Sequence, residues 1–289
     1  MHCYFVLAGK SDVPVIYHVE RVRDGRSFAT RTVQARQQGK CIFTTTISFV
    51  LQDSAGTKIV QHSAEMPPNV PEPVHNWEEA EFPKELLGPY ESQFLNMVNE
   101  QSDKPWMKRQ RQWLRCRGTI SAEGGHQAHL NALAYMTDSY LLGTIGRVHN
   151  LWRPIRYPKT VEEMTKEEED RRAKLGPNPE IQADKLSQLP AKEDPDMLYK
   201  LAKKWRAPRN DGRPEIGMMV SLDHTIYFHN PRAFRADEWI FVQAENPWAD
   251  DGRGLVMQRM YTKDGVLIAT CIQEGLIRLK QDAPEKPKL

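Results

Sequence analysis

The sequence predicts an α+β fold in which antiparallel sheets each wrap a central helix, built as two units of which the first is incomplete. Three observations carry this reading. Runs of β-branched and aromatic residues are punctuated by glycine turns, one long apolar stretch has the length of a buried helix, and the hairpin pattern of the N-terminal part recurs near the C-terminus.

Strands are expected over residues 3–7, 15–22, 27–36 and 41–51, where Val, Ile, Thr, Tyr and Phe dominate. Asp24-Gly25 and Gln38-Gly39-Lys40 separate alternating runs with the chemistry of tight hairpins, so the first unit reads as an antiparallel meander over residues 1–65. It lacks an early strand and a helix of its own. Residues 66–112 are rich in proline and charge and read as a connector with one short helix near 92–100.

The second unit is expected over residues 113–282. It opens with a strand at 113–119 and continues with a helix at 126–146 that carries Ala128, Leu130, Leu133, Met136, Leu141, Leu142 and Ile145. A helix apolar on most sides is a buried one. Residues 159–215 break the pattern: the run Lys166-Glu-Glu-Glu-Asp-Arg-Arg172 and several prolines bury little apolar surface, so the segment reads as an exposed charged insertion. Strands resume at 217–229, 238–245, 254–261 and 266–279, and residues 283–289 form a Lys/Pro-rich tail.

The repeat is explicit in the residues. Asp24-Gly-Arg-Ser-Phe28 answers Asp251-Gly-Arg-Gly-Leu255, and Gly39-Lys-Cys-Ile-Phe-Thr44 answers Gly265-Val-Leu-Ile-Ala-Thr270, with one indel between the two alignments. Turn, strand length and following apolar strand coincide, which favours duplication over chance recurrence of Asp-Gly turns. A long sheet wrapped round one helix, occurring twice, is the double hotdog architecture.

Composition narrows the function. Forty basic against thirty-eight acidic residues give a formal charge of +2, so no whole-chain field recruits nucleic acid, which is not expected as a partner. Cys3, Cys41, Cys116 and Cys271 form no Cys-x-x-Cys pair, so neither a zinc knuckle nor a disulfide framework is expected. No apolar run approaches the roughly 20 residues of a membrane span, and residues 1–6 do not read as a signal peptide. The terminal Pro287-Lys288-Leu289 resembles a peroxisomal address with proline in place of the usual small residue, giving peroxisomal residence as one expectation and the cytoplasm as the other.

Familiar catalytic motifs are missing: no Gly-x-Ser-x-Gly elbow, no phosphate loop and no Gly-x-Gly-x-x-Gly occurs. His126 and His129 stand three apart at a helix start, a place for capping or surface residues. His224 and His229 differ by an odd number along one strand and so point to opposite faces, and no metal site follows. On that strand Val220, Leu222, His224, Ile226 and Phe228 share one face, while Ser221, Asp223, Thr225 and Tyr227 share the other. The last strand places Leu267, Ala269, Cys271, Gln273, Gly275 and Ile277 together, with Gln273 the strongly polar member. A buried amide needs hydrogen bonds, and Gly275 beside it lets the central helix approach closely. Asp138, on the apolar helix, needs partners as well. Acid, hydroxyl and amide from Asp138, Ser221 and Gln273 together suit the holding of one water, the carboxylate taking its proton.

At these residues the sequence resembles the acyl-CoA thioesterase II family. The likeness runs through His2-Cys-Tyr-Phe-Val6, Val19-Glu-Arg-Val-Arg-Asp-Gly-Arg-Ser-Phe28, Trp113-Leu-Arg-Cys-Arg-Gly118, Tyr135-Met-Thr-Asp138, Ser221-Leu-Asp-His224, Asp264-Gly-Val-Leu267 and Gln273-Glu-Gly275. The resemblance implies a double hotdog hydrolase that splits fatty acyl-CoA into free fatty acid and CoA, with its catalytic positions on Asp138, Ser221 and Gln273. It implies no cofactor, since coenzyme A is part of the substrate. The family begins well upstream of this unit's first strand and lacks so long an insertion as 159–215. A noncatalytic acyl-CoA-binding or scaffold role is the competing expectation, and a hotdog dehydratase a third. Acyl chain length, CoA contacts and pairing into a homo-oligomer are left open by the sequence.

Overall fold

The computed structural model describes residues 1–73, 88–151 and 213–281. The elements below lie in one compact unit composed of Met1–Pro73, Tyr90–Trp152 and Pro214–Leu289. The expected tail at 283–289 and the expected insertion at 159–215, apart from its last three residues, fall outside the described residues.

Four strands come first: β1 (His2–Phe5), β2 (Ile16–Asp24), β3 (Phe28–Gln37) and β4 (Lys40–Val50). They are followed by β5 (Tyr90–Phe94), β6 (Gln110–Cys116), α1 (Gly125–Leu141) and α2 (Gly143–Val148). The chain closes with β7 (Ile216–Ser221), β8 (Asp223–Phe228), β9 (Ile240–Asp250), β10 (Arg253–Thr262) and β11 (Leu267–Leu279). Among the described residues, all strands belong to one 11-stranded sheet, ordered β2-β3-β4-β1-β8-β11-β10-β9-β6-β5, with β7 also paired to β11.

That order reads as two copies of one meander set back to back. β2-β3-β4-β1 mirrors β9-β10-β11-β8, and the copies meet where β1 and β8 run antiparallel with Cys3 opposite His224. The repeat legible in the residues is therefore also a repeat in topology. Two of its turns have the expected cause: Gln38 and Gly39, like Asp251 and Gly252, sit at positive φ, the requirement of a two-residue turn that matches strand twist, whereas neither Asp24 nor Gly25 does.

Three expectations are corrected. The short helix near 92–100 is instead β5, paired along β6 from Tyr90↔Cys116 to Phe94↔Gln112, with Glu91 ion-paired to Arg115 and Arg117. Pairing with a neighbouring edge outweighs weak local preference here. The helix at 126–146 is two segments: α1 is buried on one side only, whereas α2 is buried nearly all round, as expected. Leu133, Met136, Thr137, Tyr140 and Leu141 face the sheet, while Tyr135 is 58% exposed. The strand at 217–229 is likewise two, β7 and β8, broken at Leu222.

The core lies between α1–α2 and the inner face of the C-terminal strands, where Leu114, Leu133, Met136, Leu141, Ile145, Ile226, Val256, Met260 and Ile268 pack together. Two paired glycines seat the helices. Gly254 lies opposite Gly275 in the β10–β11 register. A Cβ on Gly275 would stand 2.5 Å from Leu142 Cδ1, and one on Gly254 would stand 2.6 Å from Ile145 Cδ1. Among the described residues no helix is long and apolar enough to cross a membrane.

Candidate active site

The break at Leu222 decides where the polar side chains of β7 and β8 point. Ser221 pairs with Gly275 and Thr225 with Ile272, so the β7–β8 side carries one more residue than β11 over the same stretch. This is a β-bulge, which re-aims side chains and leaves ladder groups without backbone partners. The freed groups are recovered locally: Leu222 N–H donates to Glu274 O at 2.9 Å, and Glu274 N–H donates to the Asp223 carboxylate at 2.7 Å.

Because of the bulge, Ser221 and His224, three apart, both look toward α1. The strict alternation expected from sequence placed them on opposite faces, and that assignment is corrected. The extra residue inverts the parity of everything beyond Leu222. Gly275, opposite Ser221, has no side chain to intervene, so Ser221 reaches Gln273 on the same strand face.

Three elements thus converge on one amide. Gln273 Nε2 donates to Asp138 Oδ1 of α1 at 2.6 Å and to Ser221 Oγ of β7 at 2.9 Å. Gln273 is fully buried, whereas Asp138 and Ser221 are half-buried. The reverse amide orientation would set its oxygen against a carboxylate, so the nitrogen's placement is fixed by electrostatics. The structure brings together all three of the residues singled out from the sequence.

One neighbour escaped the sequence reading. His224, buried at 2% exposure, sits with Nε2 3.0 Å from Thr137 Oγ1, the residue preceding Asp138. Burial holds its pKa below the ordinary value against the opposing pull of Asp138 and Asp223. Beyond it a polar line continues into the core: Tyr140 O–H donates to Gln258 at 2.8 Å, and Gln258 pairs in register with Cys271. Burial raises the Cys271 thiol to about 12 and the Tyr140 phenol well above its usual value, so neither is an anionic nucleophile near neutral pH.

Among the described residues, the other histidines are structural or exposed. His129 is buried and accepts the Ala236 N–H at Nδ1, 3.0 Å away, while His126 is exposed. His229 is exposed and bonds Thr270 at 2.8 Å. Among the described residues, no group of three His, Cys, Asp or Glu side chains is placed to hold a metal ion.

Two family models cover the chain: an acyl-CoA thioesterase N-terminal domain matches residues 1–50 and an acyl-CoA thioesterase C-terminal domain matches residues 64–277. Acyl-coenzyme A thioesterase 8 of Mus musculus is 31% identical over 99% of this chain and 74% of its own length. Peroxisomal acyl-coenzyme A thioester hydrolase 1 of Saccharomyces cerevisiae is 27% identical over 96% of this chain and 78% of its own. A crystal structure of an acyl-CoA thioesterase II from Mycobacterium marinum superposes with a TM-score of 0.59 at 25% identity, covering 97% of this chain and 80% of that one. Matches of this extent, over a hotdog sheet whose helix and strands bring the same motifs together, establish that the chain belongs to the acyl-CoA thioesterase II family of thioester hydrolases.

Proposed function

We propose that this chain hydrolyses fatty acyl-CoA to free fatty acid and CoA, with a water held at Asp138, Ser221 and Gln273 as the nucleophile. The observation that carries the reading is the Gln273 amide, which donates from one nitrogen to both Asp138 and Ser221.

Counting donors assigns the roles. A primary amide has two N–H groups, and both are committed, one to the carboxylate and one to the serine. Gln273 therefore orients its neighbours and has no proton left for an oxyanion, which falls instead to backbone N–H groups or Ser221. Ser221 accepts from Gln273, so its own O–H is free to donate. Asp138 has Oδ2 free to accept a proton from water.

The reaction balances without a covalent enzyme intermediate. Asp138 takes one proton from the water as its oxygen bonds to the thioester carbonyl carbon, giving a tetrahedral oxyanion. The oxyanion collapses, the C–S bond breaks, and the departing thiolate recovers the proton from Asp138. Holding the water beside the carbonyl replaces a random encounter with an oriented one.

The test is thiol release from a panel of acyl-CoAs. Release by the unaltered chain together with its loss in Asp138→Asn supports the reading. Binding of acyl-CoA without release by the unaltered chain would favour a binding or scaffold role. Peroxisomal residence is proposed with it, supported by the yeast relative that carries this location in its name. Fusing residues 278–289 to a fluorescent reporter tests it, with punctate signal expected and diffuse signal counting against it.

A further inference from the structure

Thr137 and Asp138 are consecutive on α1 and are held by neighbouring strands, Asp138 by Gln273 of β11 and Thr137 by His224 of β8. Since Thr225 pairs with Ile272, His224 lies beside Gln273, and both side chains point to α1. The Thr137 hydroxyl donates its single proton to Ala134 O at 3.0 Å. Its oxygen can then only accept from the imidazole, so His224 carries hydrogen on Nε2, and in the neutral ring Nδ1 is a bare lone pair.

That lone pair is buried without a side-chain or backbone partner, and so is Gln273 Oε1, the back of the amide that holds the site. Two buried acceptors on adjacent strands are satisfied together by a donor with two protons. A water buried among polar groups characteristically makes about three hydrogen bonds.

We propose that His224 is a positioning residue of the reaction: one internal water donates to both His224 Nδ1 and Gln273 Oε1, and with the Thr137 bond it fixes the Asp138–Gln273–Ser221 arrangement. This rests on the reading of Asp138 as the base. The water stands behind the amide, on its oxygen side, and is distinct from the one consumed at its nitrogen side. Histidine serves here because it offers a donor to the helix and an acceptor to the water from one rigid ring. Phenylalanine keeps the bulk and removes both.

Two measurements test the proposal on the full chain. Nitrogen-15 NMR of labelled histidine reads the tautomer directly, with Nε2–H expected; an Nδ1–H tautomer overturns the proposal whatever the activity. Thiol-release kinetics of His224→Phe should show kcat lower by about 10- to 100-fold with KM little changed, the pattern of a misaligned catalytic group. His224→Gln, whose amide N–H can reach the Thr137 oxygen, should recover part of that loss. A folded His224→Phe with wild-type kcat overturns the proposal, and if that variant does not fold, the tautomer decides. Asp138→Asn is run in parallel: full turnover there defeats the base assignment, and a defect there with none in His224→Phe defeats only the positioning role.

Discussion

At the scale of single residues, the site is a problem of protons shared among buried groups. Asp138, Ser221 and Gln273 act in this account on one water, so their losses should not add. Ser221→Ala or Gln273→Leu combined with Asp138→Asn should be little slower than Asp138→Asn alone, whereas independent roles would multiply the defects. Two histidines, His224 beside these residues and His149 beside Asn246, couple stability to pH. His224 and His149 are both held below the ordinary 6.5, chiefly by burial, with Asp138 and Asp223 opposing it at His224 and Asn246 opposing it at His149. The Met1 amine and Lys108 reinforce the depression at His224 and His149 respectively. A group with a depressed folded pKa binds its proton more readily in the unfolded chain. Its contribution is therefore full above 6.5 and is lost as pH falls toward the folded value. The thermal midpoint should drop between about pH 7 and about pH 5, and His224→Phe should flatten that drop. An unchanged slope in the variant would remove His224 from the explanation.

At the scale of elements, the bulge at Leu222 and the glycine pair under α2 set the geometry. Asp223 receives the Glu274 N–H that the bulge strands, so Asp223→Ala should cost about 1 kcal/mol, the low end of the penalty for an unsatisfied donor because this one is only part-buried. Gly275→Ala places a methyl 2.5 Å from Leu142 and 2.9 Å from Val220 O. Overpacking of this kind costs about 1–3 kcal/mol, and adding Leu142→Ala should recover only part of it, since the backbone contact remains. Equilibrium denaturation reads both. The close approach at Gly275 is legible in sequence because only glycine lets a helix sit so near a strand. The bulge is not: whether Ser221 and His224 share a face depends on the pairing with β11, and alternation within one strand carries no record of its neighbour. The strand that replaces the helix expected near 92–100 escapes the sequence for the same reason, since its ladder is supplied by β6.

At the scale of the whole molecule, the described residues form a duplicated meander joined through β1 and β8 into one sheet, with α1 and α2 on its C-terminal half. The duplication was legible because Asp-Gly and glycine turns fix hairpins locally. The joining of the copies into a continuous sheet was not, because it depends on an edge pairing between residues more than two hundred positions apart, such as Cys3 and His224. The meeting of Asp138, Ser221 and Gln273 was legible from chemistry, since a polar group on an apolar face must find partners. The charged composition of residues 159–215 predicts that replacing them with a short Gly/Ser link leaves the thermal midpoint nearly unchanged, and a large fall would show that they pack on the core. The central claim, that this assembly holds a water for Asp138 to deprotonate, is tested most directly by steady-state thiol release from acyl-CoA by Asp138→Asn. The account predicts kcat lower by about 10²–10⁴ with KM little changed, whereas wild-type turnover in the folded variant would contradict it.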